Sequence, residues 1–200
     1  VALESKDQQM IIRTLKDVMQ SCIFDKVDFD KFTVFDFEKL FLALRAKSVG
    51  EIVDLEMKCQ DTECNSVTPV SVNLEEINLT DLPESNTIII DNDIGVTLRF
   101  PGVQDVERYD EEHLAKPQGA FDLIIDCIDT IFDEEGVYNT KDEPRESVEA
   151  FLNNLSSAQF KKLSTFFESI PTLTHNIEYK CIKCGKENEL ELKGLQSFFT

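Results

Sequence analysis

Tryptophan is absent from the 200-residue chain, glycine occurs seven times and histidine twice. Each shortage excludes something. Without Trp, the fifteen Phe become the main large core residues. The few glycines build no G-x-S-x-G elbow, no P-loop and no Gly-rich phosphate cradle. His113 lies in a charged segment and His175 follows Pro171, and neither has a nucleophile motif beside it. Positive charge is scarce as well: 20 Lys and Arg stand against 39 Asp and Glu, a formal net charge of −19. Such a surface repels nucleic-acid phosphates and anionic membrane faces, so neither is an expected partner. No run approaches the roughly 20 apolar residues that span a bilayer. The opening VALESKDQQM has neither a basic n-region nor a cleavage-like site, so no secretion signal is expected. With no catalytic constellation in view, the expectation is a protein without a small-molecule substrate.

Hydrophobic residues make up 42% of the chain, enough for a core. Apolar periodicity predicts a helix from Ser5 to Cys22, with Ile11, Leu15, Val18 and Cys22 on one stripe and Ile12 and Met19 beside it. A second helix is expected from Asp36, as N-cap, to Lys47, burying Phe37, Leu40, Phe41 and Leu44 and ending before Gly50. Alternation then predicts strands through Val53, Leu55 and Met57 and through Val70, Val72 and Leu74. The stretches TIIID and IGVTLRF flank Asp91-Asn92-Asp93 as a hairpin; Gly95 and the lack of a later Glu rule out a calcium loop there.

From Gln104 to Ile170 the pattern reads as helical. One stripe carries Phe121, Ile124, Ile125, Ile128, Ile131 and Phe132; the other carries Asp122, Asp126, Asp129 and Asp133, expected as a solvated face or a dock for a basic partner. Residues 105–149 hold 15 Asp and Glu against 4 Lys and Arg, a local charge of −11. Ser156 with Gln159 forms a capping box for the last helix, with Phe160, Leu163, Phe167 and Ile170 on its core side. The expected fold class is α+β, with a helical portion inserted in or packed against a small antiparallel β portion. The expected divisions are 1–50 (helices), 51–103 (β region), 104–171 (acidic helices) and 172–200 (closing strands), within one integrated domain or two closely packed ones.

Six cysteines are too sparse for a secreted disulfide scaffold, and CxxC-type pairs point to metal or redox chemistry. Cys181-Ile-Lys-Cys184-Gly185 is a zinc-knuckle pattern. Cys59 and Cys64 form a looser pair with four residues between them. Each pair lies between two expected strands, so Cys59, Cys64, Cys181 and Cys184 are candidate ligands of one structural Zn²⁺ in a discontinuous zinc-ribbon-like element. Unlinked reduced thiols are the alternative. A redox CxxC fits less well, because the motif opens no helix after a strand. Cys22 and Cys127 fall on apolar helical faces and are expected in the core.

Phe35-Asp36, the run from Phe41 to Glu51 (FLALRAKSVGE), Cys59 with Cys64, Pro101 after a strand, Phe166-Phe167 with Pro171, Cys181 and Cys184-Gly185, and Gly194-Leu195 with Phe198-Phe199 follow in order. Together, from about Cys22 to Thr200, they resemble the T4-like bacteriophage baseplate hub subunit and hub assembly protein family. This copy departs from that pattern in its long Cys59–Cys64 spacing. The resemblance implies a non-enzymatic protein of tail baseplate assembly in the host bacterial cytoplasm, with retention in the virion baseplate left open. Its partners would be hub proteins or the tape-measure protein, held by the acidic helices and by exposed Phe residues near the C-terminus. A zinc-ribbon regulatory module that binds the transcription machinery is the alternative, and an enzyme of unknown type the third.

Overall fold

The computed structural model describes residues 8–109 and 111–199. In chain order the elements are α1 (Gln8–Ser21), α2 (Val34–Ser48), β1 (Ile52–Lys58), β2 (Val67–Asn73), β3 (Asn78–Leu79), β4 (Thr87–Ile89), β5 (Gly95–Leu98), α3 (Val103–Arg108), α4 (Glu111–Leu114), α5 (Pro117–Asp126), β6 (Ile128–Phe132), β7 (Val137–Asn139), α6 (Arg145–Asn153), α7 (Ser157–Glu168), β8 (Leu173–Lys180) and β9 (Glu187–Lys193). Helices and antiparallel sheets mix throughout, an α+β fold. The chain forms two compact units. The first takes the N-terminal stretch to Gln20, Asp25–Val34 and Leu82–Ile170; the second takes Ser21–Phe24, Phe35–Asp81 and Pro171 onward.

The second unit is built on alternation. Strand β1 buries Val53, Leu55 and Met57 while Ile52, Asp54, Glu56 and Lys58 face out. It pairs with β2 from Ile52↔Asn73 to Lys58↔Val67. Strands β8 and β9 form a second hairpin, from Thr174↔Lys193 to Lys180↔Glu187, and β3 extends it. The inward rows of both hairpins meet Leu42 and Ala46 of α2 and Phe198, which is fully buried. Burying one such side chain contributes about 2–3 kcal/mol. Gly50, at φ +129°, lets the chain turn from α2 into β1, and Arg45 donates to its carbonyl. Where the chain leaves this unit and returns to it, Thr80 and Thr172 exchange hydrogen bonds of 3.0 Å.

In the first unit, β4, β5, β6 and β7 form one antiparallel sheet in that order. Helices α5, α6 and α7 cover it through Ile124, Ile125, Val148, Leu152, Leu163 and Phe166. Phe100 stacks on Phe166 with ring centroids 5.3 Å apart. The expected capping box of Ser156 and Gln159 opens α7. A polar network runs beside this core. Arg99 forks onto the nearly inaccessible Asp105 at 2.6 and 2.9 Å and also donates to the Asp126 carbonyl. The Asp126 carboxylate, 6% exposed, meets Arg108, Arg145 and the Tyr109 hydroxyl. Asp122 meets His113 and Arg145.

Several expectations are corrected. The predicted 121–132 helix ends at Asp126, and Ile128–Phe132 is strand β6. The β-branched Ile128, Thr130 and Ile131 favour the pleated strand, and an apolar run this short reads either way by periodicity. The middle of the chain is therefore not wholly helical. Asp122 and Asp126 are not a solvated stripe but ion-paired, and Asp129 and Asp133 lie off the helix. Helix α2 starts at Val34, two residues before the expected cap Asp36, and its most buried residues are Phe35, Phe37, Leu42 and Ala46. In α1, Met19 is buried and Val18 half exposed. The expected helix start at Ser5 lies outside the described residues. Cys22 is exposed past the end of α1, whereas Cys127 is buried as expected. Phe198 is no exposed docking residue but core, and Phe199 packs edge-on against Phe41.

Two predictions follow from burial of carboxylates. Burial pushes Glu38 up to about 6, against the pull of the Leu195 backbone N–H. Its folded-state pKa exceeds its ordinary value of 4.5, so it costs stability as pH rises between those values. Glu38→Gln should raise unfolding free energy near pH 7 by about 1–2 kcal/mol and flatten its slope in that window in denaturant titrations. Asp105 is held below its ordinary 3.8: burial opposes ionisation, but the Arg99 and Gly102 hydrogen bonds prevail. Its contribution is present at neutral pH and lost as pH falls below 3.8. Asp105→Ala should cost about 3 kcal/mol at pH 7, and less at acid pH.

Candidate metal centre

Each hairpin of the second unit ends in a cysteine-bearing turn. In the β8–β9 turn, the Cys181 N–H donates to Lys186 O and the Gly185 N–H to Cys181 O, with Gly185 at φ +74°. In the β1–β2 turn, the Cys59 N–H donates to Ser66 O and the Asn65 N–H to Asp61 O, with Asn65 at φ +46°. The two turns share one design. The residue after the second cysteine adopts the left-handed conformation, Gly in one and Asn in the other, the residues that tolerate it best. Asp61 occupies the turn position that Cys181 holds in its counterpart, and Cys59 sits two residues earlier. That offset accounts for the long Cys59–Cys64 spacing.

The turns bring all four sulfurs together. The Sγ atoms of Cys59, Cys64, Cys181 and Cys184 lie within 4.8 Å of one another. The cross-hairpin separations are 3.6 Å for Cys59–Cys184 and 3.7 Å for Cys64–Cys181. A disulfide needs about 2.05 Å, and these thiols are free. A tetrahedron with metal–sulfur bonds of about 2.3 Å has edges of about 3.8 Å. The cluster could hold a metal ion, and it is the one such group among the described residues. Cys22 and Cys127 lie outside it.

Hydrogen bonds orient the sulfurs. The Ser66 hydroxyl lies 3.0 Å from Cys181 Sγ and 3.2 Å from Cys64 Sγ. The Asp61 N–H donates to Cys59 Sγ at 3.4 Å. Cys181 is held down to about 5, first by the Cys184 backbone N–H and then by Ser66. Cys64 is lowered mainly by Ser66. At Cys184 the Lys186 N–H pulls downward, but desolvation and the three neighbouring sulfurs prevail and leave it at about 12. Cys127, by contrast, is pushed up to about 12 by burial and is an inert thiol.

Sequence reasoning missed the residues that join the two turns. Asn188, 4% exposed, accepts from the Gln60 N–H at 2.9 Å and donates to Lys186 O at 2.9 Å. The Tyr179 hydroxyl donates to Lys58 O at 2.6 Å, and the Ile182 N–H to Thr68 Oγ1 at 3.3 Å. Asn65 had a signal, since it follows Cys64 as Gly185 follows Cys184. Ser66 and Asn188 had none, because cross-hairpin contacts depend on tertiary pairing.

Removing the Asn188 amide orphans the Gln60 N–H and takes one of two donors from the Lys186 carbonyl, which keeps the Cys181 N–H. Asn188→Ala should therefore lower unfolding free energy by about 2–3 kcal/mol. Gln60→Ala, which removes one exposed hydrogen bond to Glu189 O, should cost less than about 1 kcal/mol in the same denaturant titration.

The family described as T4 bacteriophage base plate protein matches residues 1–200 of this chain. The baseplate hub assembly protein gp26 of Enterobacteria phage T4 is 24% identical to it over 163 residues, 81% of this chain and 70% of that protein. No solved structure matches. The resemblance carried by the FLALRAKSVGE stretch and the CxxCG-to-FF terminus thus extends along the entire sequence, and the chain belongs to the T4 bacteriophage base plate protein family.

Proposed function

We propose that this protein is a non-catalytic component of tail baseplate assembly, a hub protein or hub assembly factor, whose fold is closed by one structural Zn²⁺. It acts by binding hub proteins or the tape-measure protein in the host bacterial cytoplasm. The family match over residues 1–200 supports the baseplate role and favours it over a transcription-associated zinc ribbon. The name of the T4 relative, a baseplate hub assembly protein, supports the choice of partners.

The meeting of four sulfurs from two hairpins supports the metal. Four thiolates in tetrahedral reach select zinc or an iron–sulfur centre, and a single closed S₄ shell suits zinc. With every position filled by Cys59, Cys64, Cys181 or Cys184, no coordination site is left for water or substrate. The ion would be structural. It would tie β1–β2 to β8–β9, and the two-stranded β1–β2 ribbon is the element most in need of it.

Metal analysis of protein purified without added chelator should find one zinc per chain. Cys64→Ser or Cys181→Ser should lower occupancy, and a strong chelator should lower the melting temperature of wild type but not of these variants. A metal-free protein indifferent to chelator would overturn the zinc. Co-expression with the phage's hub and tape-measure proteins should yield a complex on affinity capture. Capture of none of them would overturn the assembly role.

A further inference from the structure

The carboxylates of the first unit are unevenly matched to cations. Asp105, Asp122, Asp126, Glu107 and Glu149 each meet an Arg, Lys or His. The turn end of the sheet differs. Because Gly95 pairs with Phe132, the β4–β5 and β6–β7 turns lie side by side and line one shallow depression. Asp91, Asp93, Asp133, Glu134 and Glu135 surround Ile94 there, and among the described residues no ion pair involves any of the five. Asp91 and Asp133 accept backbone N–H groups of their own turns. The negative field is felt next door: the Tyr138 phenol is raised, chiefly by the charge of Asp133, then by slight desolvation and by Glu135 and Glu143.

The outward row of the sheet beside these turns is apolar. Ile89, Gly95, Phe132 and Val137 are register partners across the four strands. The Phe132 ring lies over Gly95 so closely that a Cβ there would come within 2.1 Å of it, so the row is continuous. The alternate row contains the buried Val96, which puts the Ile89 row on the solvent side. Ile89 is 52% exposed, Val137 73% and Ile94 37%. An apolar stripe with a one-signed rim has the anatomy of a docking surface. Strand addition at the β4 edge is blocked, because the Lys162 ammonium occupies the Ile89 and Ile90 carbonyls. A lone metal cation is also a poor fit, since these five carboxylates do not gather within metal reach. Spaced cations on a chain match spaced acids.

We propose that this face binds an extended basic segment of a protein partner. Its apolar side chains would lie on Ile89, Phe132 and Val137, and its Lys and Arg would meet Asp93, Glu134 and Glu135. The inference rests on the binding role proposed above, and it names the surface and the chemistry of its partner. A fluorescent peptide alternating Lys and Val is the probe, with Glu-for-Lys and Ser-for-Val versions as controls. Binding to the full chain is followed by anisotropy at two salt concentrations and mapped by amide NMR shifts. The variants are Asp93→Asn/Glu134→Gln/Glu135→Gln and Ile89→Ser/Val137→Ser, none of whose side chains holds a turn together.

The Lys-Val peptide should bind, weaken with salt, shift amides within 89–95 and 132–138, and lose roughly tenfold or more in affinity with either variant. No binding, shifts elsewhere or unchanged affinity in the variants would overturn the proposal. The same variants in the baseplate capture separate the two readings. If wild type captures hub or tape-measure proteins and the variants capture them equally, this surface is wrong and the assembly role stands. If wild type captures none, the assembly role fails by itself, and the peptide result still decides the surface.

Discussion

Convergence of four cysteine sulfurs between two hairpin turns is the constraint on which the second unit depends. Its sheets are small. One has two strands, and the other has β8 and β9 with only the short β3 added. Hairpins of that size are marginal without a packed face or a staple. Here α2 supplies the packed face through Leu42 and Ala46, while the turns are held by Ser66, Asn188, Tyr179 and the sulfur cluster. The ribbon must be assembled from segments far apart in sequence, with 116 residues between Cys64 and Cys181. Such closure carries a chain-entropy cost that local contacts cannot offset alone. The proposed thiolate-bound ion would act where that cost falls.

The first unit solves its problem differently. Its acidic helices do not simply repel one another, because a few arginines are shared among carboxylates, the most buried of which are Asp105 and Asp126. Arg145 serves Asp122, Asp126 and Glu149, and Arg99 serves Asp105. The excess negative charge is thereby displaced to places where carboxylates have no cation, the sheet turns among them. Distribution, not total charge, makes one face of this unit a candidate for recognition.

Legibility in the sequence followed the range of the interactions. Strands β1, β2, β8 and β9 could be read from alternation, because each hides one face and wets the other. The capping box at Ser156 and the Gly50 stop could be read because they are local. All four clustered cysteines are expected from motif and spacing, and the longer Cys59–Cys64 spacing reflects a turn that sets the first cysteine back by two residues. Elements with long-range causes were missed. Ile128–Phe132 looked helical because its apolar residues continue the stripe of α5, and only pairing with β5 and β7 makes it a strand. The Asp122 and Asp126 stripe looked solvated because its arginine partners lie 18 and 23 residues away in sequence. The Phe pair at the C-terminus looked like bait for a partner, yet Phe198 completes the core of its own unit.

The proposed zinc ion would be enclosed by two cysteine pairs from distant parts of the chain, in an all-sulfur shell. X-ray absorption at the zinc edge of the purified 200-residue chain reads the neighbours of that ion. Four cysteine ligands give a single shell of sulfurs at about 2.3 Å with no nitrogen or oxygen neighbour. A shell containing histidine nitrogen or water oxygen, or fewer than four sulfurs, would contradict it.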